Sequence, residues 1–535
     1  VNGVNPAYTG KQWWDGQIHE RYDDSFINER ENYFHKPLVN INWYSQLTDD
    51  LSLFSTVYYS GGKGGGTGTY NNKKDGIKYD YSGPSRVVDW DATIANNTVS
   101  DSAFGILRNS VNNQWQIGAI SKLNYQFNDQ IKTTFGVDWR TAKIDHFREV
   151  RDLLGGKFFY DTSNEFEANW AHNKVLGDKI GYYNTNTVDL WGLFGQTEYS
   201  AGALSAYGML SWSIITYSYV NHFKKGKNGD PIKTDSDWIS GFQIKGGANY
   251  RLTENFDVFA NLGYISKVPI FDNVIDDTDG ALANDPKNEK FTSIEAGTVF
   301  NSSNHKLEVR FNGYFTLWKD RAKTETRQTS DGDEELVFIK GMNQTHMGIE
   351  LESAFKPIDF ARFDVSASLA DWKFTDNVSA RVKNYSGGSV IEDEFEYYIK
   401  DLKVGDAPQT QLSIAATIFP IEGLSAQVVF KYYANHYAEF DPFDRTKPKD
   451  EGIESWEIPS YGLFDLHASY ILPIDIKGVE LTAFAHVFNL FDIEYISDAT
   501  DNSQYNATDD DHDADDAEVF FGLPRTFNIG VSVKM

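Results

Sequence analysis

The chain contains no cysteine. That excludes disulfide staples, thiolate metal sites and a cysteine nucleophile. It also lacks any run near the ~18 consecutive apolar residues of a membrane-crossing helix. Positive charge is scarce: 49 Lys and Arg stand against 77 Asp and Glu, a formal net charge of −28. Nucleic-acid binding needs the opposite balance, so no nucleic-acid partner is expected. The acidic balance permits a cationic or metal-associated ligand without requiring one. Serines and histidines occur, but no pattern pairs a nucleophile with a base, so no catalytic residue is assigned and the chain does not read as an enzyme. Gly61-Gly62-Lys63-Gly64-Gly65-Gly66-Thr67-Gly68 does not fit the GxxxxGK[ST] phosphate loop and reads as a flexible extracellular segment. The first residue is Val1 and no secretion signal is present, so an N-terminal portion is expected to be removed or absent.

Aromatic residues are plentiful. They make up 15% of the 535 residues, while the mean hydropathy is −0.48. A membrane β-barrel has both properties: lipid-facing and lumen-facing residues cancel in the average, and rings form girdles at both interfaces. The local pattern agrees. Leu307, Val309, Phe311, Phe315 and Leu317 alternate with Glu308, Arg310, Asn312, Tyr314 and Thr316. Phe242, Ile244, Ala248, Tyr250 and Leu252 alternate with Gln243, Lys245, Asn249 and Arg251. Leu424, Ala426, Val428, Phe430 and Tyr432 alternate with Ser425, Gln427 and Lys431. A period of two puts each set on one face of a strand. The charges gather on one face because a Lys or Arg facing lipid costs about 2–4 kcal/mol.

Connections alternate in length. Short ones fall at Thr48-Asp49-Asp50, Asn128-Asp129, Ala201-Gly202, Thr253-Glu254, Asn301 to Asn304 and Pro420 to Gly423. Long polar ones span 61–114, 149–186, 223–236, 268–290, 375–394, 438–459 and 499–517. Short turns on one rim and long loops on the other are the outer-membrane pattern. The reading is all-β: a transmembrane antiparallel up-and-down barrel over 1–535, with 1–36 the end of an extracellular loop. About 17 strands are counted, out of a barrel of roughly 22. The segment 37–47 enters a short turn and so runs inward. Phe527, Ile529, Val531, Val533 and Met535 alternate with Asn528, Ser532 and Lys534 in a closing strand.

Several stretches resemble TonB-dependent receptors. Val487-Phe488-Asn489-Leu490-Phe491-Asp492 with Glu494-Tyr495, then Gly522-Leu523-Pro524-Arg525-Thr526-Phe527, is similar to that family's closing hairpin. Val404-Gly405-Asp406-Ala407-Pro408-Gln409 resembles the start of a late strand, and Pro269, Asn288-Glu289-Lys290 and Glu295-Ala296-Gly297 a mid-barrel pattern. His146-Phe147-Arg148-Glu149-Val150 with Asp152-Leu153-Leu154-Gly155-Gly156 resembles a long extracellular loop of the branch that often carries a carboxypeptidase-regulatory-like domain. The plug domain and TonB box of the family are not in this sequence, and Met535 stands where the family usually ends in an aromatic. The resemblance implies a Gram-negative outer-membrane receptor. It implies partnership with the TonB complex through a plug, membrane lipid around the wall, and energised uptake of a small extracellular ligand. A ferric siderophore or other metal chelate is the family's commonest cargo. A passive porin-like channel, a peptide or glycan importer with a surface lipoprotein partner, and a surface receptor or adhesin are the alternatives.

Three sets of residues are candidates for the site. Trp13, Trp14, Tyr70, Tyr79, Tyr81, Trp90, Trp170, Tyr437 and Phe440 lie in the predicted loops, where rings stack on a ligand or pack loop to loop. Asp138, Arg140, Arg251, Glu308, Arg310 and His486 fall on predicted lumen faces, where they bond to wall, plug or ligand. No intrinsic cofactor is expected, but acidic loops suit Ca²⁺ or another metal. Asp509, Asp511, His512 and Asp513 are the candidate ligands, with a solvated loop tip as the alternative. Asp276-Asp277-Thr278-Asp279-Gly280 is a weaker hint of the same kind, without the spaced Glu of an EF-hand.

Overall fold

The computed structural model describes residues 8–534 apart from 22, 72–75, 81–85, 278, 284, 329–333, 387–388, 406, 442–444, 475–477 and 502–510. Seventeen antiparallel strands, each paired with the next in chain order, form one wall. They are β1 (Leu38–Thr48), β2 (Leu51–Asn71), β3 (Gly105–Asn128), β4 (Ile131–Asp152), β5 (Lys179–Ala201) and β6 (Leu204–Lys225). Next come β7 (Ile239–Thr253), β8 (Phe256–Lys267), β9 (Glu289–Asn301), β10 (Leu307–Gln328), β11 (Glu334–Ile358) and β12 (Ala361–Phe374). The last are β13 (Thr410–Ile418), β14 (Leu424–Ala434), β15 (Tyr461–Ile471), β16 (Glu480–Phe488) and β17 (Thr526–Lys534). Four short strands, Asn32–His35, Pro231–Asp235, Val378–Ser386 and Ser389–Tyr397, extend ladders above the wall. The sheet has the cyclic order of a barrel. Among the described residues, no residue-for-residue ladder joins β17 to β1, and both strands are exposed along nearly their whole length.

The register keeps the two faces apart around the wall. Thr298 opposes Phe311, Phe311 opposes Leu351, and Leu351 opposes Ala367 on the outer face. On the inner face Val299 opposes Arg310, Arg310 opposes Glu352, and Glu352 opposes Ser366. The outer side chains stay open: Leu193, Leu210, Leu262, Ile294 and Ile349 are each about half exposed. Such a continuous apolar surface is stable only against lipid. Trp139 and Trp191 lie 5.9 Å apart on this face, across β4 and β5. The short turns all share one rim. Gly202 (φ 56°) and Gly423 (φ 79°) take the left-handed backbone those turns need. At the β3–β4 turn, Asn128 Oδ1 accepts the N–H groups of Gln130 and Ile131, both at 2.9 Å.

Strand height is uneven. β2 to β6 have 21 to 24 residues each, whereas β13 to β17 have 9 to 11. A crossing needs only about 9–11 residues, so the first group rises well above the bilayer. Two expected loops are therefore shorter than the sequence suggests: β2 continues to Asn71 and β3 starts at Gly105, while β4 runs to Asp152 and β5 starts at Lys179. Above the lipid, side chains no longer alternate apolar and polar, but the ladder continues. The glycine run 61–68 is likewise strand and not a flexible segment, paired residue for residue with Arg108 to Trp115. Its glycines admit a close neighbour: a Cβ on Gly64 would meet the Tyr33 carbonyl oxygen at 2.6 Å, where Asn32–His35 crosses. Between β2 and β3 lies a helix, α1 (Trp90–Val99), capped by the Asp89 carboxylate on the Ala92 N–H at 2.8 Å.

Candidate ligand-facing lumen and loop mouth

The pairing registers put Asp138, Arg140, Arg251, Glu308, Arg310 and His486 on the inner face. There they bond mostly to one another and to wall neighbours. Arg310 donates to Glu308 at 2.7 Å, and Arg362 forks onto Asp364 with contacts of 2.7 to 3.0 Å. Arg251 lies 3.7 Å from Asp257 and is largely exposed. The Asp138 Oδ1 oxygen is buried without a partner among the described residues. His486 and His467 approach to 3.0 Å between their Nδ1 atoms, so one ring donates to the other. A cavity of about 820 Å³ lies along this face, lined by Gln196, Tyr207, Asn249, Asn261, Glu308 and Arg310 among others. A larger one, about 1280 Å³, is lined mainly by the outer-face residues Leu53, Leu123, Phe135, Leu193, Leu210 and Leu262, and suits lipid contact better than a polar ligand.

Three connections fold onto the wall at its mouth. Phe271, Val274 and Ile275 pack against Ile215, Tyr217 and Tyr219 on the inner face of β6. Tyr217 Oη donates to the Pro269 carbonyl at 2.8 Å, and Tyr219 Oη to the Asp277 carbonyl at 2.7 Å. Pro269 and Asp277 are thus held to the wall through their backbone. Further round, Tyr397, Ile399, Leu402, Val404 and Phe440 pack over Ile339, Met342 and Phe374 at the tops of β11 and β12. A row of rings crosses four strands on the inner face: Phe291, Trp318, His346 and Trp372, each centroid 4.8 to 6.2 Å from the next. The sequence reading missed this row, since it needs the register of β9 to β12.

The loop aromatics divide. Trp90 has no exposed surface and anchors a small loop core with Ile77, Val88, Leu107 and Leu154, against which Trp14 and Tyr79 pack. Phe440 is buried edge-on to Phe374 at 5.3 Å. As packed here, Trp90 and Phe440 offer no face to a ligand, because burying a whole ring stabilises a loop more than leaving it in water. Tyr70 sits beneath the Arg148 guanidinium, 4.4 Å from the ring centre, and Tyr437 is half-buried. Trp13 is 37% exposed and Trp170 is 83% exposed, so these two have the most open rings among the described members of the set. Tyr81 lies outside the described residues.

The acidic segment also divides. Asp509 lies outside the described residues. His512 turns inward and is buried, 3.0 Å from Asp501 and 3.7 Å from Asp450. Asp501 in turn holds the buried Arg445 guanidinium at 2.6 Å, and Arg445 donates to Ser455 Oγ at 3.1 Å. So His512 does not join the exposed Asp511 and Asp513. The side chain that does is Asp516, which the sequence reading passed over.

The family profile described as TonB dependent receptor-like, beta-barrel matches residues 2–490. Among solved structures, the ferric-catecholate import receptor Fiu from E. coli K12, in its closed form, aligns over 94% of this chain and 64% of its own, with 12% identity and a TM-score of 0.59. The copper transporter OprC aligns over 94% and 66%, with 16% identity and a TM-score of 0.60. The ferric citrate transporter FecA, unliganded, aligns over 95% and 62%, with 11% identity and a TM-score of 0.58. The chain thus spans 62 to 66% of the length of these structures. No curated protein sequence matches it.

Proposed function

Because the chain belongs to the TonB-dependent receptor β-barrel family, we propose that it forms the wall of an outer-membrane receptor that imports a ferric siderophore or another metal chelate by TonB-coupled transport. The observation that carries this reading is the roofed mouth. Loop residues pack onto the barrel's inner wall at β6 and at β11–β12, above a charged lumen face. A vestibule of this kind can hold a ligand before it is passed inward. The names of the solved relatives, which speak of ferric-catecholate import, copper transport and ferric citrate transport, support this cargo class by analogy. Energy would come from the inner membrane through TonB and a plug.

A second reading keeps the passive channel, because an inward segment such as Phe271 to Ile275 is also how a diffusion pore narrows its lumen. A peptide or glycan cargo handed over by a surface lipoprotein is the third. The deciding experiment is accumulation of labelled ferric chelates by cells expressing the full-length receptor, with and without TonB. Saturable uptake that disappears without TonB is expected. Flux that is unsaturable and independent of TonB would replace the importer with a channel. TonB-dependent uptake of glycan or peptide alone would change the cargo and leave the transport class standing.

A further inference from the structure

We propose that the last extracellular loop binds a calcium ion through the carboxylates of Asp511, Asp513 and Asp516. Each of the three brings an oxygen to within 4.8 Å of the others. That spread is what oxygens at about 2.3–2.6 Å from one ion can span. Exposed acidic clusters are usually solvated surface and bind nothing. Asp516 sets this one apart, since its side chain has no exposed surface. Its Oδ2 accepts the N–H groups of Asp511 at 3.1 Å and His512 at 2.8 Å. Its Oδ1 is buried and has no partner among the described residues. A carboxylate withdrawn from water with one oxygen unpaired is unfavourable unless a proton or a cation compensates it. Asp501 and Asp511 add repulsion, and the nearby Arg445 is engaged by Asp501 and Ser455.

The donor set selects the ion. All three ligands are hard oxygens, and the His512 imidazole is turned away toward Asp501 and Asp450. That disfavours transition metals. Mg²⁺ demands a tight octahedron at about 2.0–2.1 Å and keeps its waters, whereas Ca²⁺ accepts a looser, partly hydrated set. Asp511 and Asp513 are exposed, so the ion has an entry path. Once bound, it would pin the 511–516 turn between the antiparallel strands Ile496–Asp501 and Ala517–Phe521. This inference stands whatever the cargo.

The test is calorimetric titration of Ca²⁺ into the full-length receptor in detergent after chelator treatment, with Mg²⁺ as comparison. One saturable site is expected, with a dissociation constant of about 10⁻⁴–10⁻³ M, as in extracellular calcium modules. Asp516→Asn should abolish binding. Asp513→Asn, at an exposed position, should weaken it about ten-fold or more in a barrel whose circular dichroism is unchanged. No saturable heat below about 10 mM Ca²⁺, or equal binding by both variants, would overturn the proposal and leave Asp516 carrying a proton instead.

Discussion

Glu454 joins two loop segments at the mouth: its Oε1 accepts the N–H groups of Lys403 at 2.9 Å and Ser455 at 3.1 Å. Burial pushes its carboxyl above the ordinary value of 4.5, against the opposing pull of those hydrogen bonds and of Arg445 and Lys403. The folded loop therefore holds the Glu454 proton more tightly than the unfolded chain does. The resulting stabilisation is fully present below pH 4.5 and is lost as pH rises through the raised value. Amide exchange in 401–405 and 451–456, corrected for its intrinsic pH dependence, should accelerate across that window. Glu454→Gln should flatten the response; if the slope persists in the variant, another group titrates. None of this is legible in the sequence. Lys403 and Glu454 are 51 positions apart, and Arg445 and Asp501 are 56 apart. A contact at that separation leaves no local period to read.

At the scale of the strand the sequence is far more explicit. The alternations at 307–317, 242–252, 424–432 and 527–533 all lie in observed strands, and the short turns fall where polar residues cluster. Lipid enforces this, because each outward position must be apolar. The same argument predicts an asymmetry between adjacent residues. Leu351→Lys, outward and opposite Phe311, should destabilise the barrel by about 2–4 kcal/mol if it sits near the bilayer midplane. Ser366→Lys, inward and opposite Glu352, should have little effect. Urea unfolding in lipid vesicles measures both, and equal penalties would mean the faces are wrongly assigned. The strand tops were misread as loops for the converse reason. Past the bilayer nothing demands apolar residues outside, so glycine, lysine and asparagine enter β2 to β5 while the backbone bonds continue.

Across the whole molecule, the class and course of the barrel were readable, while the mouth was not. The sequence named aromatic candidates but could not separate buried anchors such as Trp90 from open rings such as Trp170. Nor could it place His512 behind the acidic cluster instead of within it. The unequal wall makes one more prediction. Around β2 to β6 the height of the mouth is continuous ladder; around β13 to β17 it is loop with short separate ladders. In hydrogen exchange of the intact receptor, residues 105–112, 184–190 and 215–221 should stay protected far longer than 445–455 and 511–516. Similar rates on the two sides would refute a rigid half.

The rim resembles a mortared wall that meets a dry-stone one. Around β2 to β6 it is bonded course to course through the backbone, and around β13 to β17 it rests on the fit of side chains, as at the buried Arg445–Asp501 pair. A single side-chain change can therefore reshape the second bank and leave the first as it stands.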